Sequence, residues 1–237
     1  MKTKIIIVMA ALCLAIFGLI ATRSGSVAQQ QSREQQIIED QRGTLAERAQ
    51  RARARGQRRL VISTPIVPPA RVRDLDQALS YFTVVVAEPI EQRTYPHDQY
   101  DLISWYRFRV VENLTPETHT GCLLCSDIEI PNELLPVNED EILVPRYGGT
   151  LMLDGIEVVQ LDRRFPQFIM GQRYLLFLSL DTSRRMGIMQ VGPDGTFAVN
   201  NGNLQAITNR EHPIRGGLAT QHGNSLERLR AHIRARQ

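Results

Sequence analysis

Apolar residues fall along this chain in three regimes. Residues 5–21 are an unbroken apolar run, residues 29–60 carry few large apolar side chains, and from Val61 onward apolar residues return in short β-branched or alternating stretches. The last regime predicts a strand-rich domain. Residues 81–87 are β-branched and aromatic with Pro89 behind them, and residues 105–111 alternate apolar and charged, as a strand with one buried face does. Residues 150–153 and 156–159 flank Asp154-Gly155, a two-residue loop typical of a tight hairpin. Residues 174–178 and 187–191 read as further strands, and Gly192-Pro193-Asp194-Gly195 turns the chain into another at 196–199. Two helices frame this set. Asp74 caps a short one running through Ser80, and the tail from Ser225 to Arg236 places Leu226, Leu229 and Ile233 on one helical face. Short strands with few helices between them predict a mainly β fold, an antiparallel OB-like barrel or small sandwich.

The first regime is a targeting segment. Lys2 and Lys4 precede the apolar run, and Ser26-Val27-Ala28 supplies the small residues that a signal peptidase reads. A cut after Ala28 leaves Gln29 as the first residue. The run is just short of the roughly 20 residues that span a bilayer, so an uncleaved inner-membrane anchor over residues 5–21 is the competing reading. Both deliver the rest of the chain outside the cytoplasm, to the periplasm or beyond. Cys13 follows Ala10-Ala11-Leu12, which is no lipoprotein box, and reads as apolar filler.

The middle regime reads as a polar Arg/Gln-rich spacer over residues 29–73. Ser32 and Gln35 fit a capping box, and Ile38, Leu45 and Ala52 recur every seven residues, a seam too thin to hold a helix by burial alone. Arg48, Arg51, Arg53, Arg55, Arg58 and Arg59 make its end basic. Outside the cytoplasm that charge suits an anionic membrane or envelope polymer, not nucleic acid. The net charge of the whole chain is only +3.

Candidate chemistry centres on Cys122-Leu123-Leu124-Cys125. In an exported protein two remaining cysteines predict a disulfide. Closing so short a loop is worth about 2 kcal/mol, enough to pin a loop but not a fold. The alternatives are a thiol-redox pair or a metal half-site with His119 as third ligand. Acidic Asp127 and Glu129 oppose a low thiol pKa, and no fourth ligand is apparent. The histidines His97, His119, His212, His222 and His232 are scattered near turn residues, with no spacing that pairs two of them on a metal. Glu139-Asp140-Glu141 reads as a solvated turn, lacking the alternating oxygens of a calcium loop. Asn113-Leu114-Thr115 is a glycosylation acceptor by sequence. Serine-hydrolase, P-loop and dinucleotide motifs are absent, and neither catalytic residues nor a cofactor are predicted.

Three segments resemble the TIMP/netrin-like branch of the OB-fold as seen in bacterial exported proteins: residues 82–91 (FTVVVAEPIE), 105–114 (WYRFRVVENL) and 168–178 (FIMGQRYLLFL). The resemblance spans about 100 residues and implies a five-stranded barrel. The animal inhibitors of that branch chelate a protease metal through an N-terminal cysteine. Here Gln29 stands at the expected start, so the resemblance implies the scaffold without that mechanism. The organisation expected is a leader (1–28), a spacer (29–73), a β-barrel domain (74–210) and a C-terminal loop and helix (211–237). The function expected is a non-enzymatic envelope module binding an unidentified protein or envelope ligand. The alternatives are a redox or metal protein using Cys122 and Cys125, or an anchored structural component.

Overall fold

The computed structural model describes residues 42–64, 69–116, 128–162 and 164–236. Five strands close into a barrel: β2 (Thr83–Pro96), β3 (Leu102–Asn113), β4 (Glu141–Tyr147), β7 (Tyr174–Asp181) and β8 (Met186–Ile188). The circuit runs β7-β2-β3-β4-β8 and back to β7. Every pairing in it is antiparallel except β4 with β8, where Leu143 meets Met186 in parallel. The molecule is therefore a small OB-like β barrel with helices packed outside it. Closure needs a strongly bent strand, and β2 supplies it. Register shifts at Val86/Ala87 and Pro89/Glu91 let its start, Thr83 to Ala87, pair with β7 while Val85 to Pro96 follow β3. β9 (Thr196–Asn200) and β10 (Asn203–Ala206) extend the sheet beyond β7.

The alternation of side chains across the barrel wall divides the core. Val85, Ala87, Tyr106, Phe108, Ile142, Tyr174, Leu176 and Leu178 point inward. Their neighbours Val84, Val86, Leu175 and Phe177 point outward but are equally buried. They pack under α2 (Leu75–Tyr81), α3 (Pro213–His222) and α4 (Leu226–Arg234). This explains why residues 174–178 are continuously apolar and not alternating: both faces of β7 are covered. α4 begins at its Ser225 cap and buries Leu226, Leu229 and Ile233 as expected, while Asp74 caps α2. The C-terminal segment is no appendage, because α3 and α4 share the cluster of Val84 and Phe177.

The expectation of a solvated spacer up to residue 73 does not hold in the described part. α1 (Leu45–Ala54) carries a full capping box between Thr44 and Glu47 and buries Leu45, Ala49 and Ala52. β1 (Arg59–Ser63) pairs in parallel with β6 (Ile156–Leu161), which forms a hairpin with β5 (Gly149–Leu153). Leu60, Ile62, Ile156 and Val158 cover α1, and Leu102 of the barrel joins them. Leu45 and Ala52 of the thin seam are thus core residues. The burial they needed comes partly from β1 close by and partly from β6, about a hundred residues away. Ser32, Gln35 and Ile38 lie outside the described residues, as do residues 5–21. Among the described residues no helix is long and apolar enough to cross a membrane.

Candidate functional site

The chain passes from the barrel into the sheet of β1, β6 and β5 through Gly148 and Gly149. Gly148 and Gly149 both have positive φ, and a Cβ on Gly149 would stand 2.2 Å from Ser104 Oγ and 2.6 Å from Thr94 Oγ1. Only glycine lets β4 pass into β5 that close to β2 and β3. Gln160 of β6 secures the junction, accepting the Leu102 N–H and donating from Nε2 to Asp101 Oδ1 at 2.7 Å.

Beside this junction, where β3 begins and β4 and β8 finish, a cleft of about 570 Å3 opens. Ile103, Pro145, Ile188, Met189 and Ile207 give it apolar walls, and Arg146, Asp162, Arg164, Asp194 and Arg210 supply its charges. A smaller cavity of about 130 Å3 lies near Arg146, Ser104 and Gln160. The size and the mixture of apolar walls with few charged groups are those of a small-molecule site.

Arg146 is the structural centre of the cleft. It is only 9% exposed and, among the described residues, pairs with no carboxylate. Its Nη1 donates to Pro166 O at 3.0 Å, its Nη2 donates to Phe165 O, and its guanidinium carbon lies 4.5 Å from the Phe165 ring centre. Burial pushes its pKa down, while Tyr106 and Asp162 act upward. Tyr106 in turn is raised by burial, with Arg146 opposing. By holding the backbone at residues 165–166, Arg146 positions Phe168, whose ring lies 5.0 Å from both Tyr106 and Phe108 and 4.9 Å from Tyr174. The loop therefore plugs the barrel interior and leaves the cleft outside the plug.

Asp194 is the second buried charge. It sits in the short 3-10 turn Gly192–Gly195 with its side chain 1% exposed. Oδ1 accepts a long hydrogen bond from Thr208 Oγ1 (3.4 Å), whereas Oδ2 accepts none. Arg210 Nη1 stands 3.7 Å from Oδ2.

Several expected site residues fall elsewhere. Cys122, Cys125 and His119 lie outside the described residues. His97 contacts Tyr147 on the surface, its Nε2 3.3 Å from the hydroxyl. His212 caps α3, its Nδ1 accepting the Ile214 N–H at 3.3 Å. His222 is not a surface histidine. It is buried at the end of α3 with its ring 4.9 Å from His232, and its Nε2 has no hydrogen-bond partner. The acidic run is only partly a turn. Glu139 and Asp140 form one, but Glu141 starts β4 and is buried against Arg107. In the sequon, Asn113 ends β3 and is exposed, while the buried Thr115 hydroxyl accepts the Val84 N–H at 2.8 Å. Among the described residues no three His, Cys, Asp or Glu side chains are grouped to hold a metal ion.

Sequence reading did not single out Arg146 or Asp194. A lone arginine inside the apolar stretch EILVPRY was the available signal for the first. Asp194 sits in a Gly-Pro-Asp-Gly turn, where an aspartate is ordinary. Comparison of the chain with known family models, with curated proteins and with solved structures finds no match.

Proposed function

We propose that this chain is an exported, non-enzymatic binding module of the cell envelope whose ligand occupies the cleft beside the end of the barrel. The observation that carries this reading is a cleft of about 570 Å3 with apolar walls and two buried, opposite charges, Arg146 and Asp194. A fold that only needed to be stable has little reason to keep such groups beside open volume, since buried charge is costly. Export rests on the leader at residues 1–28. The disulfide proposed between Cys122 and Cys125 would constrain the chain shortly before Ile128, a cleft residue. The basic stretch from Arg48 to Arg59 suits contact with an anionic surface as an accessory to binding.

The test is a cleft-filling substitution. Ile207→Trp places an indole in the open volume from a partly buried position at the edge of the barrel cluster. The variant should melt like the wild-type chain but lose binding of small apolar fragments followed by saturation-transfer NMR. Fragment binding that survives Ile207→Trp unchanged would rule the cleft out.

A further inference from the structure

The sheet of β1, β6 and β5 ends in an open edge. Among the described residues β6 is the single strand neighbour of β1, in continuous parallel register from Arg59 beside Glu157 to Ser63 beside Leu161. Glu157 N–H donates to Arg58 O and Thr64 N–H donates to Leu161 O, so the even-numbered residues of this stretch turn their backbone groups toward β6. The N–H and C=O groups of Arg59, Val61 and Ser63 therefore face away from the sheet. Neither a proline nor a bulge interrupts them, the usual guards of such an edge. Side chains alternate in step. Leu60 and Ile62 are buried on the α1 side, while Val61 on the other face is 56% exposed, with Leu161 and Met152 also exposed there. Arg59, the one charge along the edge, is already paired with Glu157 at 3.1 Å.

We infer that a second copy of this chain adds to this edge, β1 running antiparallel to its counterpart with the two-fold axis at Val61. That register is self-complementary. Val61 meets Val61 of the copy, Arg59 meets Ser63 in both directions, and each outward N–H and C=O of these three residues gains a partner. Leu60 falls opposite Ile62 of the copy, which carries the apolar layer under α1 across the junction. No like charges stand opposite one another. Arg58 lies opposite Thr64 of the copy, which sets the two Arg58 backbones roughly 20 Å apart, beyond a Debye length at physiological salt. A foreign segment would have to bring a matching alternation, whereas β1 itself already carries it. One short strand and its flanks bury less than a stable dimer needs, so the association is weak and rises with concentration.

Sedimentation equilibrium of the protein recovered from an exporting host, from low micromolar to roughly millimolar concentration, should show monomer and dimer in exchange. Over that range amide exchange should slow at Arg59, Val61 and Ser63, while Leu60 and Ile62, bonded to β6, stay protected throughout. Val61→Pro deletes one outward N–H and no bond to β6, and Val61→Lys sets two ammonium groups together at the axis. Both should melt like the wild-type monomer and weaken association about tenfold or more. Should Val61→Pro unfold the chain, Val61→Lys at the same exposed position decides. Met152→Lys, on the same face but two strands from the edge, should leave association unchanged. A single monomeric species throughout, an assembly larger than two, a dimer that survives Val61→Lys, or outward amides no slower at high concentration would exclude the second copy from this edge. Protection of Arg59, Val61 and Ser63 already in the dilute monomer would exclude it too, since the chain's own residues would then cover the edge.

Discussion

Arg107 donates from Nη1 to Glu141 Oε2 at 2.7 Å across the barrel wall, with the side chains 12% and 11% exposed. The same guanidinium also donates to Glu91 at 3.0 Å and to the carbonyls of Leu134 and Pro136. One arginine of β3 thus joins β2, β4 and the loop that covers Trp105. Burial alone would raise both glutamates, but the hydrogen bonds from arginine (Arg107 on Glu141, Arg93 and Arg107 on Glu91) carry both below the ordinary value of 4.5. A depressed carboxyl pKa contributes stability that is present above the unfolded value and is lost as pH falls through the folded one. Resistance to urea should therefore fall progressively below about pH 4.5, and Arg107→Gln should flatten that acid limb while lowering stability at pH 7.

Two histidines bracket α3 and respond in the same direction at higher pH. Burial lowers the pKa of His222, with His232 and Arg228 acting with it and Asp76 against it. Burial also lowers His212, where Asp194 opposes and Arg210 assists. A histidine held neutral in the fold favours folding above its ordinary value of 6.5 and loses that contribution as pH falls below it. The cap at Ile214 N requires an unprotonated Nδ1, so protonation also removes a hydrogen bond. Protection of residues 213–222 against hydrogen exchange, corrected for the intrinsic pH dependence of the exchange rate, should fall between pH 7 and pH 5. The double change His212→Asn with His222→Leu should abolish most of that response.

Gly149→Ala should be the most damaging single methyl in the described chain. The new Cβ would meet Ser104 and Thr94 side chains well inside contact distance, at a φ of +133° that L residues rarely adopt. The expected loss is about 3 kcal/mol, from strain and overpacking together. Chemical denaturation is the check. Gly155→Ala is the control, since it has positive φ but open space around its Cβ and should cost less.

What was legible in the sequence is what local rules determine. The Asp154-Gly155 hairpin, the Asp74 and Ser225 caps and the Leu226, Leu229, Ile233 face depend on neighbours within a few residues, and all were readable. α1 and β1 were not. Their apolar content is small residues and a two-residue alternation, and their partner strands lie about a hundred residues on. Glu141 looked solvated because its partner, Arg107, is distant in sequence and looked like the solvent face of a strand. The cleft was invisible for the same reason, since Ile103, Arg146, Asp194 and Ile207 come from four separate segments. Motif reading finds chemistry that is close in sequence, and this site is assembled only in space.

The export leader proposed for residues 1–28 carries its own prediction. Protein recovered from an exporting host should have an intact mass beginning at Gln29, and Cys122 and Cys125 should resist thiol labelling after denaturation. A mass that retains residues 1–28 would favour an anchored component, and two reactive thiols would remove the disulfide from the account.

The most direct test of the central claim, that the cleft beside the barrel end is where this protein binds, is to map a titration of small apolar fragments on the methyl signals of the full chain. Saturable shifts should appear at Ile188, Met189 and Ile207 and should leave Met152 and Met170, exposed on other surfaces, unmoved. Shifts concentrated at Met152 or Met170, with the three cleft methyls silent, would contradict the account.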